Sequence, residues 1–94
     1  MKRLYVTVYE YRDDLDKDDL RELTRTFPEV GTASGVLAHY TRLDGMGGFL
    51  VQEIPDDPEQ DFEVTIRYAP WMRFQVLPVT TIEDAFPVIQ RVYG

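Results

Sequence analysis

From Arg3 to Tyr11 the chain alternates, with Leu4, Val6 and Val8 on one side and Tyr5, Thr7, Tyr9 and Tyr11 on the other. A period of two sends successive side chains to opposite faces, so the stretch reads as a strand. The acidic connection Asp13–Asp19 leads into a helix with Asp16 as N-cap and acids in the first turn, where the helix dipole favours them. Leu20, Leu23 and Phe27 recur at helical spacing. Pro28 is expected to stop that helix, because the residue before a proline avoids helical geometry, and Glu29 to Ala33 to form a loop. Alternation resumes from Ser34 to Leu43, with Val36, Ala38 and Tyr40 opposite Leu37, His39 and Thr41. It continues from Gly48 to Ile54 after Asp44-Gly45-Met46-Gly47-Gly48, a run whose glycines permit a tight reversal. These two runs are an antiparallel hairpin.

Pro55-Asp56-Asp57-Pro58-Glu59-Gln60 reads as a helix start. Asp57 would cap, Pro58 would take the first helical position and Gln60 the capping-box position. Phe62, Ile66 and Ala69 are the expected buried stripe, and Pro70 the stop. Met72 to Val79 is a fourth strand, with Phe74 and Val76 on one face and Arg73, Gln75 and Leu77 on the other. Thr80-Thr81-Ile82-Glu83 opens a last helical segment to Tyr93, which Pro87 must kink or restart. The order is β-α-β-β-α-β plus a terminal helix. That is an α+β, ferredoxin-like arrangement: a four-stranded antiparallel sheet with helices on one face, in one domain spanning 1–94.

The bare face of such a sheet should be polar if it meets water. Here the expected members are mixed. Tyr5, Thr7 and Tyr9 come from the first strand, Leu37, His39 and Thr41 from the second. Leu50, Gln52 and Ile54 come from the third, Arg73, Gln75 and Leu77 from the last. A contiguous apolar and aromatic patch marks an interface, and pairing of two such sheets would give a homodimer with a barrel-like centre.

Composition narrows the function classes. A net charge of −7 argues against nucleic acid or an anionic membrane as partner. No apolar run approaches the ~20 residues of a membrane span. Met1-Lys2-Arg3-Leu4 enters the first strand directly, without the apolar block of a signal peptide, so a cytoplasmic location is expected. There is no cysteine and one histidine, His39, which leaves no imidazole-rich or thiolate metal site; there is no dinucleotide fingerprint either, and no cofactor is expected. Counted as a calcium loop from Asp14, the acidic run has Asp19 where glycine is needed and Arg25 where glutamate is needed. The glycine turn precedes a strand and has no following lysine, so it is not a phosphate cradle. The polar and aromatic residues left as pocket or interface candidates are Tyr5, Tyr9, His39, Tyr40, Gln52, Trp71 and Arg73.

The segment DGMGGFLVQEIPDDP (Asp44–Pro58), followed by FQVLPV (Phe74–Val79), resembles a small uncharacterised bacterial family of the dimeric α/β-barrel superfamily. The family pattern has Trp-His shortly before the glycine turn. This chain has Tyr40-Thr41 there, so no role of that histidine transfers to His39. The resemblance implies a ferredoxin-like protomer and a sheet-to-sheet dimer, and assigns no activity. Three functions remain open. The first is a homodimer holding a small apolar or aromatic ligand. The second, by superfamily analogy, is a cofactor-independent monooxygenase-like enzyme. The third is a protein-interaction module using the open sheet face.

Overall fold

The structure, a computed structural model, describes residues 1–32, 34–55 and 57–94. Its elements are β1 (Leu4–Tyr11), α1 (Lys17–Val30), β2 (Val36–Thr41), β3 (Gly47–Glu53), α2 (Glu59–Tyr68), β4 (Met72–Val79) and α3 (Ile82–Tyr93). The four strands form one sheet in the order β2-β3-β1-β4, with every neighbouring pair antiparallel. This is an α+β fold with the ferredoxin-like order. The βαβ crossovers are split because β3 lies between β1 and β2, and β1 between β3 and β4.

The local signals act much as their chemistry requires. Asp16 caps α1 in a reciprocal capping box with Asp19, the two side chain-to-backbone bonds measuring 2.8 and 3.0 Å. At the hairpin Gly45 takes φ 74, and the Asp44 carboxylate accepts the Met46 N–H at 3.0 Å. α2 departs from its expected start by one residue: Pro58 rather than Asp57 is the N-cap, Glu59 is the first helical residue, and no side chain caps the helix, although Asp57 Oδ1 accepts the Glu59 N–H at 3.0 Å. Thr81 caps α3 by accepting the Asp84 N–H at 3.2 Å.

The prolines behave differently from expectation. α1 passes through Pro28 to Val30, and the expected loop is shorter by two residues. So close to the end, Pro28 forfeits only the bond its own nitrogen would have made to Thr24. Gly31, at φ 68, then closes the helix by donating to the Phe27 carbonyl at 2.7 Å. α3 likewise contains Pro87 within one helix. Ala33, at the end of the expected loop, and Asp56, in the expected helix start, lie outside the described residues.

Register decides the faces. Tyr5 lies opposite Gln52, Thr7 opposite Leu50 and Val76, Tyr9 opposite Gly48 and Phe74, and His39 opposite Leu50. Directly opposed residues share a face. This face is roofed by α1 and α2, whose Leu23, Phe27, Asp61 and Tyr68 line the same cavity as Tyr5, Tyr9 and Leu50. The expected bare face is therefore corrected. Tyr5, Thr7, Tyr9, His39, Leu50 and Gln52 point at the helices. Arg73, Gln75 and Leu77 lie on the other side, opposite Glu10, Val8 and Val6. Tyrosine rings reach into a gap that valine would leave empty, whereas the short Val6 and Val8 side chains make the flatter, open side. A bulge between Val36 and Ala38 also breaks the alternation of β2: Val36 pairs with Gln52 but Ala38 with Val51.

No side chain among the described residues is wholly buried; Gln52 comes nearest, and Leu4, Tyr9, Leu23, Leu50 and Tyr68 are the buried apolar and aromatic residues. The radius of gyration is 16.0 Å, against about 13 Å for a compact chain of roughly this length. No residue of α3 is buried, and Phe86 and Val92 are 50% and 66% exposed.

Candidate functional site

A cavity of about 690 Å³ separates the sheet from its helical roof. Two hydrogen-bonded polar pairs stand in its mostly apolar wall, Tyr9 with His39 and Gln52 with Asp61. The first is built on Tyr9, in the central strand β1. Its ring lies across Gly48 on β3. A Cβ at Gly48 would come within 2.6 Å of the Tyr9 hydroxyl and closer still to the Tyr40 carbonyl. The missing side chain is what lets the ring pass over β3 toward β2. There the Tyr9 hydroxyl and His39 Nε2 share a hydrogen bond of 2.7 Å, its direction following the imidazole tautomer. The rings meet edge to face with centroids 5.6 Å apart. Burial raises the Tyr9 pKa above the usual phenol value, and Tyr11 beside it adds to the effect.

The second group joins β3 to α2. Gln52, 4% exposed, donates through Nε2 to the Ser34 carbonyl at 3.2 Å and to Asp61 Oδ2 at 2.9 Å. Asp61 Oδ1 is buried and has no hydrogen-bond partner among the described residues. Burial raises the Asp61 pKa above the ordinary carboxyl value, and the Gln52 amide offsets part of that. Nearby, the Tyr68 hydroxyl donates to the Gly31 carbonyl at 2.7 Å, fastening the end of α2 to the end of α1. Burial raises its pKa as well.

Tyr5, opposite Gln52, and Tyr9 are four residues apart on β1, which separates the two polar groups by about 13 Å along the strand. Leu50, Phe74 and Leu23 lie among the apolar lining residues, and Thr7 adds a hydroxyl between the two groups. A cavity of this size, mostly apolar with a few fixed polar groups, suits a small organic molecule. Among the described residues no three histidine, aspartate or glutamate side chains gather to hold a metal ion.

Of the residues singled out from sequence, Tyr5, Tyr9, His39 and Gln52 come together on the cavity wall. Tyr40 and Arg73 lie on the opposite face. Tyr40 packs against Phe49 with ring centroids 5.4 Å apart, and Arg73 makes an exposed ion pair with Asp13 at 3.7 Å. Trp71 occupies the turn before β4, where its carbonyl accepts the Arg12 N–H at 2.9 Å. Sequence reasoning missed Asp61, Thr65 and Tyr68. With Val64 they form an i, i+3, i+4, i+7 stripe that faces the cavity, while Ile66 of the expected stripe is 53% exposed. Their spacing is visible in the sequence, but two of the four are polar, so an apolar pattern search passes over them.

No curated protein matches the chain. A family model described as "Domain of unknown function (DUF3303)" matches residues 3–93, almost the full length, and the chain belongs to that family.

Proposed function

We propose that the protein is a small-molecule binder whose ligand, apolar or aromatic, occupies the space between the sheet and α1/α2. The observation that carries this reading is the hollow itself. A 94-residue domain with about 690 Å³ left open under its roof forgoes apolar contacts that a filled core would make. A ligand restores them. Calorimetric melting with a panel of apolar and aromatic compounds tests it. A binder raises the melting temperature in proportion to the logarithm of its concentration once that exceeds Kd. Thr7→Phe, which fills the hollow from the central strand, should abolish the rise. Absence of any rise, or a rise untouched by Thr7→Phe, contradicts the reading.

The functional unit in this reading is a homodimer of the dimeric α/β-barrel kind. The open sheet face, with Val6, Val8, Phe49, Val51 and Leu77, supports it, as does the unpartnered stripe Ile82, Phe86, Ile89 and Val92 of α3. Four strands at ~4.8 Å spacing and ~7 residues at ~3.3 Å make a plan area of about 440 Å². A standard interface takes about 800 Å² from each partner, so α3 must join the contact. Sedimentation should give a dimer, and Phe49→Glu or Phe86→Glu a monomer. A wild-type monomer would instead favour an interaction module that uses the open face.

A second reading, a cofactor-independent monooxygenase-like enzyme, is favoured by the Tyr9–His39 pair, which places an imidazole within reach of a bound phenol. Oxygen uptake with electron-rich phenols, lost in His39→Ala, supports that reading. No uptake in the presence of a phenol shown to bind the cavity removes it.

A further inference from the structure

We infer that the cavity selects an organic cation, an amine on an apolar or aromatic body, with Asp61 as its counter-charge. The inference rests on the ligand-binding reading above and adds the ligand's charge to it.

Three features of the cavity lead here. The described lining residues include one carboxylate, Asp61, and no lysine or arginine. Asp61 makes no ion pair in the described residues, whose salt bridges all lie on the surface. One of its oxygens accepts the Gln52 amide, and the other is buried with no donor among the described residues. A carboxylate left so has one polar partner for two oxygens, and a buried acceptor without a donor is costly. A cationic group entering beside it supplies the missing charge at a part-buried carboxylate.

The rest of the wall agrees. A phosphate or carboxylate ligand would meet no basic side chain apart from His39, which is already engaged with Tyr9. An amine would have its ammonium near Asp61 and its apolar body among Leu50, Phe74 and Leu23. Tyr5, directly across the sheet from Gln52, brings an aromatic ring to the same end of the cavity, and such rings attract cations through their faces. Net charge of −7 favours the approach of a cation but is not selective; the unpaired carboxylate is.

The test uses three probes of one shape: phenylbutylamine, phenylbutanol and phenylbutyrate, titrated calorimetrically into the full chain at neutral pH. The amine should bind at least ~10-fold more tightly than the alcohol, and the carboxylate most weakly, since tenfold corresponds to about 1.4 kcal/mol, the size of one charge-assisted hydrogen bond. Asp61→Asn, which keeps an acceptor for Gln52, should erase the amine's advantage over the alcohol. A measurement on the wild-type chain stands beside it. The amine, and not the alcohol, should shift the NMR signals of the Gln52 side-chain amide. Alcohol binding as tight as amine binding overturns this inference and leaves the cavity reading standing. An amine preference that survives Asp61→Asn, or shifts confined to the surface acids of α1, overturns it too. Binding of none of the three removes both readings together.

Discussion

Adding one methyl group at position 48 tests how the Tyr9–His39 arrangement is held. Gly48 has no left-handed φ, so alanine meets no backbone strain there. The cost of Gly48→Ala is steric. The new Cβ would lie within 2.6 Å of the Tyr9 hydroxyl and nearer still to the Tyr40 carbonyl. Overpacking of a fitted site costs about 1–3 kcal/mol. One of the two obstacles is backbone of the neighbouring strand and cannot rotate away, which puts the expectation near ~3 kcal/mol, reduced by the few tenths to ~1 kcal/mol that alanine gains from a less disordered unfolded chain. Gly45→Ala is the control. Nothing lies within 4 Å of its Cβ, but φ is 74, so its cost of about 1–2 kcal/mol is purely conformational. Urea unfolding measures both, and NMR of the imidazole reports on the site. Gly48→Ala should cost more than Gly45→Ala and should move the His39 ring signals, while Gly45→Ala leaves them in place. A Gly48→Ala protein within ~0.5 kcal/mol of wild type, with unmoved His39 signals, would refute the idea that this glycine makes room for Tyr9.

Tyr9→Phe keeps the ring over Gly48 and deletes the 2.7 Å bond to His39; unfolding should show a loss of about 1 kcal/mol. Asp61 and Asp84 should have opposite pH signatures. Burial raises the Asp61 pKa, so the native state holds that proton more tightly than the unfolded chain, and stability falls as pH rises from the ordinary carboxyl pKa through the raised one. Asp61→Asn should therefore stabilise the free protein at neutral pH, with the gain vanishing in acid, as followed by melting temperature against pH. Asp84 accepts the Lys2 backbone N–H at 2.8 Å, which with the Thr81 hydroxyl and the N-terminal charge lowers its pKa. Its contribution is present above the ordinary carboxyl pKa and lost as pH falls through the depressed one, so Asp84→Asn should destabilise at neutral pH and be silent in acid. Asp16→Ala removes the α1 capping box and should cost about 1 kcal/mol by the same measurement.

Element order, the glycine reversal and the caps at Asp16 and Thr81 are all legible along the chain, because each depends on neighbours within a few residues. Half of the candidate site is legible as well. Tyr5, Tyr9, His39 and Gln52 stand out as large or polar groups in strands. Their roofed position does not. Leu4, Val6 and Val8 look like the inner face by hydropathy, yet the tyrosines are the residues long enough to reach across to α1 and α2. Asp61 escapes notice because a lone acid on a helix is ordinarily solvated; its significance comes from Gln52, nine residues earlier and on another element.

Local periodicity, then, determined that β1 has two distinct faces and that α1 and α2 follow their strands. It could not rank the faces, since both are apolar enough to be buried and alternation is symmetric between them. Only the tertiary structure decided the matter, through register and loop closure. Pairing Tyr9 with Phe74 sends Arg73, Gln75 and Leu77 to the open side, and the bulge after Val36 puts Val36 and His39 on the roofed one. Those are long-range choices, set by how strands meet across the sheet rather than by the order of residues within any one of them.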